Sequence, residues 1–106
     1  MKHLIINLIL LLGTVTCFAQ NYVITGKVID GSNLKPFEFV DVTIHDASND
    51  KIITGEFTDI DGEFKIEVGE GNYVLRASFM GYKTAEKAIT TGTEQTIKIG
   101  RIVLKE

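Results

Sequence analysis

Tryptophan is absent, and the 106 residues include one proline and one cysteine. A single cysteine closes no internal disulfide, which excludes a stapled scaffold. One proline among 44% hydrophobic residues excludes the make-up of a disordered tail. Cations are outnumbered, 11 against 14, for a net charge of −3 and no basic run. Phosphate backbones are gripped by clustered Lys and Arg, so no nucleic-acid partner is expected. Histidine occurs twice, at His3 and His45. A zinc centre takes three or four His, Cys or carboxylate ligands, so no metal centre and no cofactor are expected. No serine stands in a G-x-S-x-G elbow, and each glycine stands alone in a turn rather than in a phosphate loop. His45 and Asp46 are adjacent, and neighbours on a strand point to opposite faces. With polar neighbours, His45 is expected to be an exposed strand-end residue. No catalytic constellation is left, and the chain is not expected to be an enzyme.

The first residues read as an export signal. Lys2 gives a positive start, and Leu4 to Leu12 is an apolar run broken only by Asn7. The run is short for a spanning helix, which needs about twenty apolar residues. Cys17-Phe18-Ala19 then places small residues around one large one, as a signal peptidase requires. Residues 1–19 are expected to be a signal peptide cut after Ala19, with a cut after Gln20 the close alternative. An uncleaved anchor is the other reading of the same run. Cys17 could also be the acylated residue of a lipoprotein, but Thr14 and Thr16 match that signal poorly. A cut at Ala19 leaves residues 20–106 as one domain of 87 residues with net charge −4, no cysteine and no transmembrane span. The product would be exported, to the periplasm, the outer membrane or the medium.

What is abundant is period-2 alternation. Phe64, Ile66 and Val68 alternate with Glu63, Lys65 and Glu67, and Val40, Val42 and Ile44 with Asp41, Thr43 and His45. Tyr73, Leu75, Ala77 and Phe79 form a third apolar face, and Ile97 and Ile99 a fourth. In a pleated strand each set lies on one side. After Gly100 the phase slips to Ile102 and Leu104, as an extra residue in a β-bulge would cause. Turn-forming clusters separate the runs, so seven strands are expected near 22–30, 38–46, 51–58, 63–68, 72–80, 82–90 and 95–104. Turns at that spacing indicate an all-β, seven-stranded antiparallel sandwich.

Asp59-Ile60-Asp61-Gly62-Glu63 admits two readings. Carboxylates at alternate positions before a glycine give a weak calcium candidate in Asp59 and Asp61. The same residues make a tight turn, with Asp accepting backbone N–H groups and Gly supplying positive φ.

Several segments, in order, resemble the carboxypeptidase regulatory-like domain. They are Ile24-Thr25-Gly26-Lys27-Val28-Ile29-Asp30, Lys35-Pro36-Phe37-Glu38-Phe39-Val40, Thr58-Asp59-Ile60-Asp61-Gly62-Glu63-Phe64 and Phe79-Met80-Gly81-Tyr82-Lys83. The resemblance covers about residues 22–104 and implies a prealbumin-like (Ig-like) β-sandwich. It implies fold roles for the matched positions. Gly26 would allow close packing of the first strand, and Pro36 would open the second where no ladder donor is needed. Gly62 would turn a hairpin that delivers Phe64 to the core. Gly81 would break the chain before Tyr82, whose ring covers the core edge with its hydroxyl in water. Members of this type often precede the plug and barrel of TonB-dependent outer-membrane receptors. The sandwich occupies the whole of residues 20–106, so a receptor role in its own right is not expected. The resemblance instead implies a non-catalytic envelope module whose partner is an envelope protein such as an outer-membrane receptor or transporter. Loops or an exposed sheet edge would bind it. The alternative is a carbohydrate-binding or calcium-dependent adhesive module. For a glycan, Tyr22, Phe39 and Tyr82 are the candidate platforms, while Phe57, Phe64, Tyr73 and Phe79 are expected to be internal.

Overall fold

The alternating segments form seven strands in a computed structural model that describes residues 21–106. They are β1 (Tyr22–Asp30), β2 (Asp41–Asp46), β3 (Ile52–Phe57), β4 (Glu63–Val68), β5 (Asn72–Ser78), β6 (Ala85–Thr90) and β7 (Thr96–Leu104). The expected signal segment, with Cys17 and a cut at Ala19 or Gln20, lies outside the described residues.

Two sheets face each other, one ordered β4-β1-β7 and the other β3-β2-β5-β6. All neighbours are antiparallel except β1 and β7, which run parallel. The three-stranded sheet turns Ile24, Val28, Phe64, Ile66, Val68, Ile102 and Leu104 inward. The four-stranded sheet answers with Val42, Ile44, Tyr73, Leu75, Ala77 and Ile89, and one continuous apolar cluster results. Burying each large side chain of this set stabilises the fold by about 1.5–3 kcal/mol. In β4 the alternation is complete: Phe64, Ile66 and Val68 are buried, and Glu63, Lys65 and Glu67 are exposed.

The phase slip read at Gly100 is a bulge. Thr25 pairs with Lys98 but Gly26 pairs with Gly100, which leaves Ile99 as the extra residue. Gly100 takes a positive φ of 83° there, and Ile102 and Leu104 return to the core.

Four expectations are corrected. The segment Asp59–Gly62 is not a hairpin turn, because β3 and β4 belong to different sheets and the chain crosses between them. Turn chemistry is the same for both uses; only the partner strands differ. Pro36 does not open β2; it forms an isolated bridge with Ile29, and β2 starts only at Asp41. Phe39 has a positive φ of 62°, which an extended strand cannot include. Strands β5 and β6 stop and start short of expectation, because Phe79–Thr84 forms a loop with Gly81 at a φ of 86°. His45 is not exposed but 8% accessible, for reasons of neighbouring side chains given below.

Candidate interaction surface

The quoted motifs converge on one end of the sandwich. The β1–β2 loop folds back on its own strand: Asp30 N–H donates to Lys35 O at 2.9 Å and Phe37 N–H to Val28 O at 3.0 Å. Thr58 locks this loop to the β3–β4 crossing. Its hydroxyl donates to Phe37 O at 2.6 Å and accepts from Val40 N–H at 2.9 Å. Thr58 is 2% accessible, and these two bonds offset the cost of burying its oxygen. Gly62 fits tightly beneath the loop. With φ at 74°, a Cβ there would stand 2.5 Å from Val28 O and 3.0 Å from Phe37 N.

The Asp59 carboxylate organises the same crossing. Its Oδ1 accepts N–H groups from Asp61 and Glu63, both at 2.9 Å. Asp61 is exposed beside it. Among the described residues no three His, Cys, Asp or Glu side chains gather as a metal site needs.

Phe79 and Tyr82 complete this end. Phe37 packs edge-on against Phe79, ring centres 4.7 Å apart, and against Tyr82 at 4.9 Å. Such pairs add about 0.5–1.5 kcal/mol beyond burial. The Tyr82 hydroxyl donates to Asp30 Oδ2 at 3.0 Å, so it is bonded to a carboxylate rather than left to water. That bond raises the phenol's pKa, and partial burial adds to the rise. Asp30 is held below the usual carboxylate range, first by the Ser32 N–H and hydroxyl, and also by Tyr82. The same loops carry exposed apolar side chains: Leu34, Phe39, Ile60 and Met80, the last 93% accessible. Of these only Phe39 was a candidate platform in the sequence. Leu34, Ile60 and Met80 sit in turn segments, where no periodicity marks them.

The other candidates separate. Tyr22 is 4% accessible and belongs to the core. Its hydroxyl donates to Gly92 O at 3.0 Å, so it is no platform. Phe57, expected inside, is 62% accessible, and Phe79 is 37% accessible. Both lie where a strand meets the sandwich end or edge, beyond cover from the opposite sheet. Phe64 and Tyr73 are internal as expected.

Two further features lie elsewhere. On the outer face of the four-stranded sheet, Arg76 bridges Asp50 and Glu86, each at 2.8 Å. These bonds lower the Asp50 pKa and raise that of Arg76. His45 lies beneath, with Nδ1 at 3.3 Å from the Arg76 guanidinium and Nε2 at 2.9 Å from Thr43 Oγ1. The Arg76 and Asp50 side chains cover the ring, which is why it is buried on an outer face. Beside β3, a cleft of about 720 Å³ is lined by Phe57 and Phe64, the cations Lys27, Lys65, Lys98 and Arg101, and the carboxylates Glu56, Asp59 and Glu63, among others. Among the described residues these four cations stand in no ion pair.

The geometry defines an all-β sandwich whose chain-specific features lie in its loops and edges. The sequence profile of the CarboxypepD_reg-like domain matches residues 24–106, and the chain belongs to that family. No curated protein matches the chain by sequence. Solved structures share its fold. The Bacillus anthracis TIE protein aligns with a TM-score of 0.63 at 17% identity, over 81% of this chain and 17% of that one. BcpA*(D312A), the major pilin subunit of Bacillus cereus, gives 0.64 at 14%, over 80% of this chain and 30% of the pilin. The Klebsiella pneumoniae 5-hydroxyisourate hydrolase gives 0.61 at 16%, over 77% and 90%. At these identities the likeness is one of fold, and the chain spans less than a third of the first two.

Proposed function

We propose that the domain is a non-catalytic interaction module of the cell envelope that docks a partner on its motif-bearing end. One observation carries this reading. Leu34, Phe39, Ile60 and Met80 are exposed on loops that are bonded to one another and packed on the Phe37, Phe79 and Tyr82 rings. Exposed apolar groups on a preformed base lose little order when a partner covers them. The family and the pilin-like fold support a surface or adhesion role. The partner of this reading is an outer-membrane protein, such as a TonB-dependent receptor or transporter. Among the described residues no helix is long and apolar enough to cross a membrane.

The test is affinity capture from detergent-solubilised outer membranes of the native cell. The parent chain is expected to retain one specific membrane protein, and Leu34→Lys with Met80→Lys to lose it. Equal capture by both, or turnover of peptide, ester or glycan substrates, would overturn the reading.

The cleft beside Phe57 favours a second reading, a glycan whose hydroxyls meet the mixed charges of Lys27, Lys65, Lys98, Arg101, Glu56 and Glu63, with Phe57 as its platform. Its volume lies within the usual range for small-ligand sites. Calorimetry with neutral and uronate-containing oligosaccharides tests it, and no heat at millimolar sugar from either counts against it.

A further inference from the structure

His45 Nδ1 faces a donor and an acceptor at once. Arg76 Nη1 lies 3.3 Å from it, and Asp50 O lies at 3.2 Å. One ring nitrogen carries either a lone pair or a proton, so it serves one neighbour and opposes the other. A guanidinium keeps its protons, and a bare Nδ1 accepts a charge-assisted bond from it. A proton on Nδ1 would gain a neutral bond to the carbonyl and set an N–H group against a cation. The neutral ring therefore carries its proton on Nε2, which donates to Thr43 Oγ1 at 2.9 Å. The Thr43 hydroxyl is in turn directed at Arg76 O, 3.5 Å away.

The charges around the ring come from three elements. The β2–β3 turn holds Asp50 at a φ of 61°, and its carboxylate as well as its carbonyl lies near Nδ1, with Oδ1 at 3.9 Å. Strand β5 supplies Arg76, and β6 supplies Glu86, bonded to Arg76 Nε at 2.8 Å. Ile52 of β3 and Val74 of β5 stand opposite His45 in register and carry no charge. Asp46, the next residue, is engaged by the Ser48 N–H and hydroxyl.

A second proton on the ring reverses the preference at Nδ1. Nδ1–H then donates to Asp50 O and faces the Asp50 carboxylate, while imidazolium and guanidinium repel each other. The guanidinium is planar and rigid, and Glu86 holds it by Nε. Turning Nη1 away from the ring about that hold also draws Nη2 from Asp50 Oδ1, its partner at 2.8 Å.

We propose that His45 is a proton-operated latch on the outer face of the four-stranded sheet. The neutral ring keeps Arg76 clamped to Asp50. The protonated ring takes Asp50 for itself and leaves Arg76 on Glu86 alone. Arg76 thus ties the β2–β3 turn to β6 only while the ring is neutral, and in acid a cation is released on the sheet face. Strand β2 runs from the motif-bearing end toward this turn, so the latch sits away from that end and stands independently of the docking reading.

The test is nuclear magnetic resonance of the full chain, labelled with nitrogen-15 in histidine and arginine. The titration runs from about pH 8 to about pH 5, where imidazoles change charge and ordinary carboxylates, titrating near about 4, do not. At the upper end the His45 proton is expected on Nε2, and Arg76 is expected to give separate Nη1 and Nη2 signals because both are held. As the ring gains its second proton these two signals are expected to merge, while the Nε–H signal, held by Glu86, persists. Arg101 is the chain's other arginine and is expected to show merged signals throughout. His45→Gln keeps an amide that accepts from Arg76 and never titrates, so its Arg76 signals are expected to stay separate to the lower end. A proton on Nδ1 of the neutral ring overturns the proposal. So does a ring that stays neutral to about pH 5, or Arg76 signals that remain separate once the ring is charged. A merger in His45→Gln equal to the parent's assigns the opening to another group and overturns it as well. The parent titration decides by itself if the glutamine variant fails to fold.

Discussion

Phe64 occupies the space that a side chain at Gly26 would need. The two residues are cross-strand partners in β4 and β1, and a Cβ built on Gly26 would stand 2.5 Å from Phe64 Cζ. Gly100 closes the far side, with its carbonyl oxygen 3.3 Å from the same point. Gly26→Ala is expected to cost about 1–3 kcal/mol, the usual range for overpacking. Phe64→Leu removes the obstructing ring, so the two changes together are expected to cost less than their sum. Urea unfolding of the two single variants and the double variant measures the coupling, and strict additivity would show that the contact is not limiting.

Thr58 holds two loops through one oxygen, and its replacement separates shape from hydrogen bonding. Thr58→Val keeps the volume but leaves Phe37 O and Val40 N–H without the partner each has now. A buried polar group left unsatisfied costs about 1–3 kcal/mol. Thr58→Ser keeps the hydroxyl and loses one methyl, so it is expected to cost about 1 kcal/mol or less. The order Val worse than Ser, read from denaturant midpoints, checks that the hydroxyl rather than the methyl secures the junction.

Much of the sandwich is legible where one covered face and one wet face enforce alternation. Strand β4 reads correctly residue by residue, because its inward face meets the opposite sheet and its outward face meets water. Strand β3 does not, since an edge strand with both faces exposed imposes no period on Ile52-Ile53-Thr54-Gly55-Glu56-Phe57. That is why Phe57 reads as internal and stands exposed. His45 fails for the opposite reason. Its burial comes from Arg76 and Asp50, which are distant from it in sequence or lie across a turn. The motif residues were legible as turn and packing positions. Their convergence on one end was not, because it depends on β3 and β4 lying in different sheets.

Gly62 joins those sheets, and its backbone angle leaves little choice of residue. Its φ of 74° disfavours any L side chain, and Val28 O lies 2.5 Å from where a Cβ would be. The left-handed conformation costs about 1–2 kcal/mol, and the backbone clash adds to it. Gly62→Ala is therefore expected to destabilise by about 2–4 kcal/mol, more than Gly26→Ala, whose obstruction is a side chain that can move. Thermal unfolding of the two alanine variants side by side tests the ranking.

The Tyr82–Asp30 bond gives the stability a pH signature that Tyr82→Phe should erase on one side only. The folded phenol has its pKa raised above its ordinary value, first by the bond to Asp30. A raised folded pKa means a contribution fully present below the unfolded pKa, about 10, and lost as pH rises through the folded value. The Tm gap between the parent and Tyr82→Phe is therefore expected to be steady through neutral pH and to close in strong alkali. Asp30 works in the other direction. Its folded pKa is lowered, so its contribution is present above the unfolded value and fades as pH falls through the folded one. The largest causes there are the Ser32 N–H and hydroxyl bonds, at 2.9 and 2.7 Å. The acid limb is thus expected to persist in Tyr82→Phe and to flatten in Ser32→Ala, which keeps the N–H bond and loses the hydroxyl. Melting curves of the three proteins across both limbs check the assignment. An alkaline limb unchanged in Tyr82→Phe would mean that another group governs it.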